Sequence, residues 1–147
     1  MQWLLIPFVI AAGVLNSLQT GTNPQLGKSL GQPIAAAFVV YLVGILTLAV
    51  CAPFLGFSFS AYGRVGLAPW WAWLGGIFGA VYILAMFYVT QKVGAGAFTA
   101  LTVTAAIVST VLLDHFGWLG VQEHPASLWR IVGCVLMIGG VVLVSMF

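Results

Sequence analysis

Charge is what this chain has least of. Among 147 residues four are basic, Lys28, Arg64, Lys92 and Arg130, and two are acidic, Asp114 and Glu123. Charged residues make up 4% of the sequence, where an ordinary soluble domain carries about a quarter. Six charges cannot cover a fold of this size with a polar surface, so a water-soluble domain is excluded. Nucleic-acid binding is excluded too, because neutralising phosphates takes clustered Lys and Arg. Cysteine is almost as scarce. Cys51 and Cys134 both lie inside apolar runs, and neither a ladder of spaced cysteines nor a C-x-x-C pair points to disulfides or zinc. They read as small packing residues. No acid falls in the middle of an apolar run, and there is no Ser-His-Asp set, metal-ligand cluster, G-x-x-x-x-G-K or G-x-G-x-x-G motif. The expectation is a chain that is no enzyme and binds no metal and no cofactor.

What is there instead is hydrocarbon. Hydrophobic residues are 63% of the total and the mean hydropathy is +1.17, which makes lipid the main solvent. A bilayer core takes about 20 mostly apolar residues per helix. Five stretches meet that length, at about Gln2 to Thr20, Ile34 to Leu55, Trp70 to Gln91, Ala95 to His115 and Leu128 to Phe147. The apolar runs are continuous and do not alternate, which favours helices over a β-barrel. The expected fold is all-α, a single five-helix transmembrane domain. No basic region precedes the first run and no small-residue cleavage site follows it, so it reads as a span that stays in the protein. The breaks are chemically distinct. Gly21 to Pro33 and Gly56 to Pro69 are rich in Gly, Pro and polar residues, and Gln91 to Gly94 reads as a tight turn. Gly75 and Gly79 form a G-x-x-x-G pair suited to close helix packing. Trp70 and Trp71 read as an interfacial belt, and Trp73, one turn deeper, as a candidate cavity wall.

Five spans put the two ends of the chain on opposite sides of the membrane. Arg64 and Arg130 then share one side, Lys28 and Lys92 the other. Orientation follows the Lys and Arg bias between sides, and two against two leaves no bias. A small membrane protein so balanced is expected to insert both ways, and two opposed copies pair about an axis in the membrane plane, as in inverted-repeat transporters.

Few side chains carry chemistry inside the spans. Asn16, Gln19, Thr20 and Asn23 recur at i, i+3, i+4 and i+7, one helix face. Facing lipid they would cost free energy, so they face protein or a wet cavity; a polar substrate wall and interhelical hydrogen bonding are both open. Thr99, Thr102, Thr104, Ser109 and Thr110 line the fourth span, where hydroxyls bond cheaply to their own helix. Tyr82 shares a face with Gly75, Gly79 and Met86 and is either a ligand contact or a packed ring. Asp114 and His115 are an adjacent acid and imidazole at the end of the fourth span. They are either a coupling site at the membrane mouth or a helix end, with Asp114 capping it or pairing with Arg130. Glu123 and His124 read as solvated.

These residues resemble a known family. Gln19-x-x-x-Asn23-x-x-Leu26, Leu30-Gly31-x-Pro33-x-Ala35-Ala36, Val43-Gly44, Pro69-Trp70-Trp71-Ala72-Trp73-Leu74-Gly75-Gly76 with Gly79, Asp114-His115-Phe116-Gly117, and Arg130-x-x-Gly133-x-x-Leu136 before Gly140-Val141 are similar to the half-size, YdcZ-like branch of the drug/metabolite transporter superfamily. The resemblance implies a multi-pass protein of the bacterial inner membrane. It also implies that two copies, or two paralogues, build the equivalent of one ten-helix transporter, and that a small molecule is exported. Two departures bear on cavity polarity: Ala105-Ala106 stands where a Gly-Gln pair is expected, and Tyr41 where a small residue is. The leading expectation is a small-molecule exporter working by alternating access as an antiparallel homodimer in contact with membrane lipids. Its candidate substrate contacts are Asn16, Gln19, Asn23, Trp73, Tyr82 and Thr102, and its candidate coupling residues are Asp114 and His115. A dual-topology ion channel and a non-transporting membrane partner are the competing readings.

Overall fold

Within hydrocarbon there is no water to satisfy backbone N–H and C=O groups, so each apolar stretch must satisfy its own by forming a helix. The computed structural model describes Trp3 and residues 5–146, and it is all-α. The described residues hold five α-helices: α1 (Leu5–Leu30), α2 (Pro33–Cys51), α3 (Leu74–Val93), α4 (Ala95–Phe116) and α5 (Leu128–Met146). With short 3₁₀ segments at Ala52–Leu55 and Trp70–Trp73 extending α2 and α3, all five are long and apolar enough to cross a membrane. The expected limits at Gln2 and Phe147 lie outside the described residues.

The largest correction concerns α1. The sequence reading ended the first span near Thr20 and made Gly21 to Pro33 a connection, but the helix runs on through Gly21, Asn23 and Pro24 to Leu30. Pro24 removes one N–H and frees the carbonyl of Thr20. Unwinding there would strand several backbone groups instead of one, and in a membrane that is the costlier outcome. The real connection is Gly31 and Gln32. Gly31 N–H closes on the Lys28 carbonyl at 3.2 Å, and Pro33 opens α2 at a position where its missing N–H costs nothing. The break between α2 and α3 is also more ordered than expected, with a 3₁₀ helix over Phe59–Leu67 whose start is capped by Ser58. Phe57, Phe59 and Tyr62 cluster there, with ring centroids 5.1 to 6.4 Å apart. The exposed Trp70 follows, as an interfacial aromatic belt requires.

The expected four-residue turn between α3 and α4 shrinks to one residue. Gly94 donates to the Thr90 carbonyl at 2.9 Å and accepts from Phe98 N–H at 3.1 Å, so it ends one helix and begins the next. Its φ of 87° and ψ of 157° fall in a region open essentially to glycine alone.

The chain divides into two units, one of Gly21–Tyr88 and one joining the residues up to Thr20 with those from Val89 onward. In the first, the end of α1, α2 and α3 meet around Ala36, Ala37, Ile83 and Phe87, with Leu26, Val40 and Leu84 packed against them. Small residues set this spacing. A Cβ at Gly27 would lie 2.7 Å from Cδ1 of Phe87, and one at Gly79 would lie 3.1 Å from the Tyr41 hydroxyl. The close approach expected of the G-x-x-x-G pair is therefore made at Gly79, against Tyr41, while Gly75 has open space. In the second unit α4 and α5 form a helical hairpin. Phe98 and Thr104 are buried on α4, whereas α5 buries no residue.

Candidate functional site

The polar face of α1 is real but divided. Thr20 is fully buried and Asn23 nearly so, Asn16 is half-buried and Gln19 is exposed. Thr20 Oγ1 donates to the Asn16 carbonyl at 3.1 Å, the local bond that makes a hydroxyl cheap inside a span. Asn23 Nδ2 donates to Met86 Sδ at 3.7 Å, both buried within the Gly21–Tyr88 unit. That contact ties α1 to α3 and gives Asn23 a packing role; nothing in the sequence pointed to Met86 as its partner. Gln19 differs. Its amide makes no hydrogen bond among the described residues. An amide on a membrane span without a partner among the described residues is a candidate to bind water, ligand or another chain.

The remaining candidates fall into the two units separately. Tyr82 and Trp73 belong with Asn23, and both rings are accessible, at 37% and 59%. Thr102 belongs with Asn16 and Gln19. Its hydroxyl donates to the carbonyls of Phe98 (2.9 Å) and Thr99 (3.2 Å), so in this state it is satisfied by its own helix.

Asp114 and His115 sit at the end of α4, where the loop after Gly117 folds back. Arg130 Nη1 reaches Asp114 Oδ2 and the His124 carbonyl, each at 3.4 Å. His124 N–H donates to the Asp114 carbonyl at 2.8 Å. His115 Nδ1 accepts from Ala126 N–H at 3.2 Å, which requires that nitrogen to be unprotonated. Gly117 makes the reversal possible: its φ is 60°, and a Cβ there would lie 2.6 Å from Cγ of Glu123. Of the two roles open to Asp114, pairing with Arg130 is the one adopted. Glu123 and His124, read as solvated, are exposed but clipped into this loop. The cluster gathers both acids and both imidazoles of the chain at one end of the α4–α5 hairpin. No group of three or more His, Cys, Asp or Glu side chains among the described residues could hold a metal.

Two grooves run along the hairpin. One of about 550 Å³ lies beside Ser17, Gly96, Thr99, Ala100 and Gly140; the other, about 440 Å³, reaches from Thr110 to Asp114 and Arg130. Met137 borders both. Sequence reasoning missed them because the small residues that open them are scattered over three helices, and only the helix rotations bring them together.

Five membrane-length helices, amides carried within a span and charges confined to its ends define a polytopic α-helical membrane protein. Residues 4–143 match the family model described as "Putative inner membrane exporter, YdcZ", and the chain belongs to that family. No curated protein and no solved structure matches it. The protein is thus a multi-pass inner-membrane protein of a transporter family, a class that is not enzymatic.

Proposed function

We propose that this protein exports a small molecule by alternating access, as an antiparallel pair of oppositely inserted copies, with Gln19 and Asn16 in the substrate path. The observation that carries the reading is the accessible amide of Gln19, without a hydrogen-bond partner among the described residues, on an apolar helix one turn from Asn16. A polar group kept unsatisfied in a span is costly, and such groups mark substrate pathways. The even split of Lys and Arg between the two sides of a five-span chain supports insertion in both orientations. Thr102, Trp73, Tyr82 and Asn23 are further candidate contacts, each on the strength of its residue type within a span. Asp114 and His115 are the candidate coupling pair. Asp114 holds Arg130 and His115 Nδ1 accepts from Ala126 N–H, so both side chains fasten the same loop.

The test begins with a thermal-shift screen of metabolites and cations, since a ligand that binds the folded state raises its stability. The compound giving the largest shift is then followed into proteoliposomes. Gln19→Ala and Asn16→Ala are expected to abolish its flux while expression and melting temperature stay at wild-type values. Wild-type flux in both variants removes the assignment of the path to this face of α1.

A further inference from the structure

We infer that the groove between α4 and α5 seats α5 of a second, oppositely inserted copy, with Met137 on the two-fold axis. This rests on the two-way insertion proposed above and adds the surface through which the copies meet. Each of α1 to α4 buries some residues fully and α5 buries none, so α5 is the span with the least cover. The side that lines the grooves is half-covered, beside α4, and is not lipid-like throughout. The residues that line the grooves are Gly133, Cys134, Met137, Gly140 and Val141, with Arg130 and Val144 at the two ends. The bulky and most exposed residues, such as Trp129, Leu136 and Leu143, lie elsewhere on the helix. From Arg130 to Val144 the groove follows α5 for about 21 Å, against a hydrocarbon core of about 30 Å. That is the length of a helix seat.

The register decides the orientation. Opposed about Met137, the α5 helices set Gly133 against Val141 and Cys134 against Gly140, so each glycine receives a larger side chain from the other copy. In parallel, Gly133 would face Gly133 and leave a gap, while Val141 would face Val141 and hold the helices apart. Without a hydrophobic force between helices in lipid, close packing of this kind is the main source of association, and a gap forfeits it. Charge points the same way. Antiparallel copies hold their two Arg130 side chains about 21 Å apart along the axis, each neutralised by its own Asp114, whereas parallel copies bring them side by side. Such an interface is isologous: the same patch serves both copies. Gly96 and Ala100 on the α4 wall let the incoming helix approach closely.

The experiment uses the full chain in native membranes, with Cys51→Ser and Cys134→Ser as background, and induces disulfides by mild oxidation. Met137→Cys is expected to give a covalent dimer. Gly133→Cys and Val141→Cys are each expected to give little alone and a strong heterodimer when co-expressed. Self-crosslinking of Gly133→Cys overturns the inference in favour of a parallel pair. To guard against a Met137 variant that fails to assemble, Gly140→Cys is placed in a chain that keeps Cys134. The two sit six residues apart on one helix and cannot bond to each other there, so a covalent dimer reports contact between copies. Absence of dimer in both designs overturns the inference, leaving the groove to lipid or another protein. The same membranes are labelled at Ser29→Cys and Ser60→Cys with an impermeant maleimide. Labelling of one site alone from outside shows a single orientation and removes the proposed two-way insertion together with the antiparallel seat. Labelling of both with no crosslink leaves two-way insertion standing and removes the seat alone.

Discussion

Replacing Gly27 by alanine tests the closest helix approach in the Gly21–Tyr88 unit. A Cβ at this position would stand 2.7 Å from Cδ1 and 3.0 Å from Cε1 of Phe87. Carbon atoms rest at about 3.5–4.0 Å, so the ring must retreat by roughly 0.8 Å or more to restore contact. It has nowhere to go: Phe87 is fully buried in the cluster with Ala36, Ala37 and Ile83. Overpacking of this kind costs about 1–3 kcal/mol. The hydrophobic transfer term does not add to it, because separated helices would still lie in hydrocarbon. The assay is reversible unfolding in mixed micelles, followed by tryptophan fluorescence, run as a double-mutant cycle. Gly27→Ala alone is expected to lose 1–3 kcal/mol, and Phe87→Leu alone a similar or smaller amount through the space it vacates, about 1–2 kcal/mol. Together they are expected to lose less than the sum, with a coupling of about 0.5–3 kcal/mol. A neutral Gly27→Ala, or two losses that simply add, would refute the reasoning that Phe87 packs onto bare backbone at Gly27.

Two further outcomes follow from the loop that closes the α4–α5 hairpin. Gly117→Ala forces a side chain into a left-handed backbone, at about 1–2 kcal/mol, and into Cγ of Glu123. Its melting temperature is expected to fall, and adding Glu123→Ala should recover only the clash, so complete recovery would contradict the backbone conformation. Asp114→Asn is expected to cost at most about 1 kcal/mol, because the pair with Arg130 is exposed, yet to speed hydrogen exchange through the loop up to Ser127. Unchanged exchange would show that the backbone bonds alone hold the loop.

The middle helices were legible because their composition leaves no alternative. Pro33–Cys51 and Ala95–Phe116 are continuous hydrocarbon, and any other backbone state there strands polar groups in lipid. The second half of α1 was not legible, since Gly21, Asn23 and Pro24 are helix breakers in water and the sequence does not say that water is absent. The pairing of Asp114 with Arg130 could be anticipated, there being few charges for either to choose from. The bond from Asn23 to Met86 and the seat of Phe87 on Gly27 could not. Each depends on how two helices are rotated about their own axes, and a methionine or a glycine in a uniformly apolar run carries no sign of which face it turns inward. The division of the polar face of α1 into a buried Thr20 and an exposed Gln19 has the same cause, because periodicity gives a face but not its neighbour.

The single residue between α3 and α4 limits the mechanics of the protein. Val93 and Ala95 are two virtual bonds apart, at most about 7.6 Å, and both flank a glycine already committed to hydrogen bonds on either side. A joint that short behaves as a pin, not a tether. Neither helix can ratchet lengthwise past the other at that end, so any displacement between them is angular and grows with distance from Gly94. The far ends carry the largest excursion, and the far end of α4 is where Asp114, His115 and the folded-back loop reside.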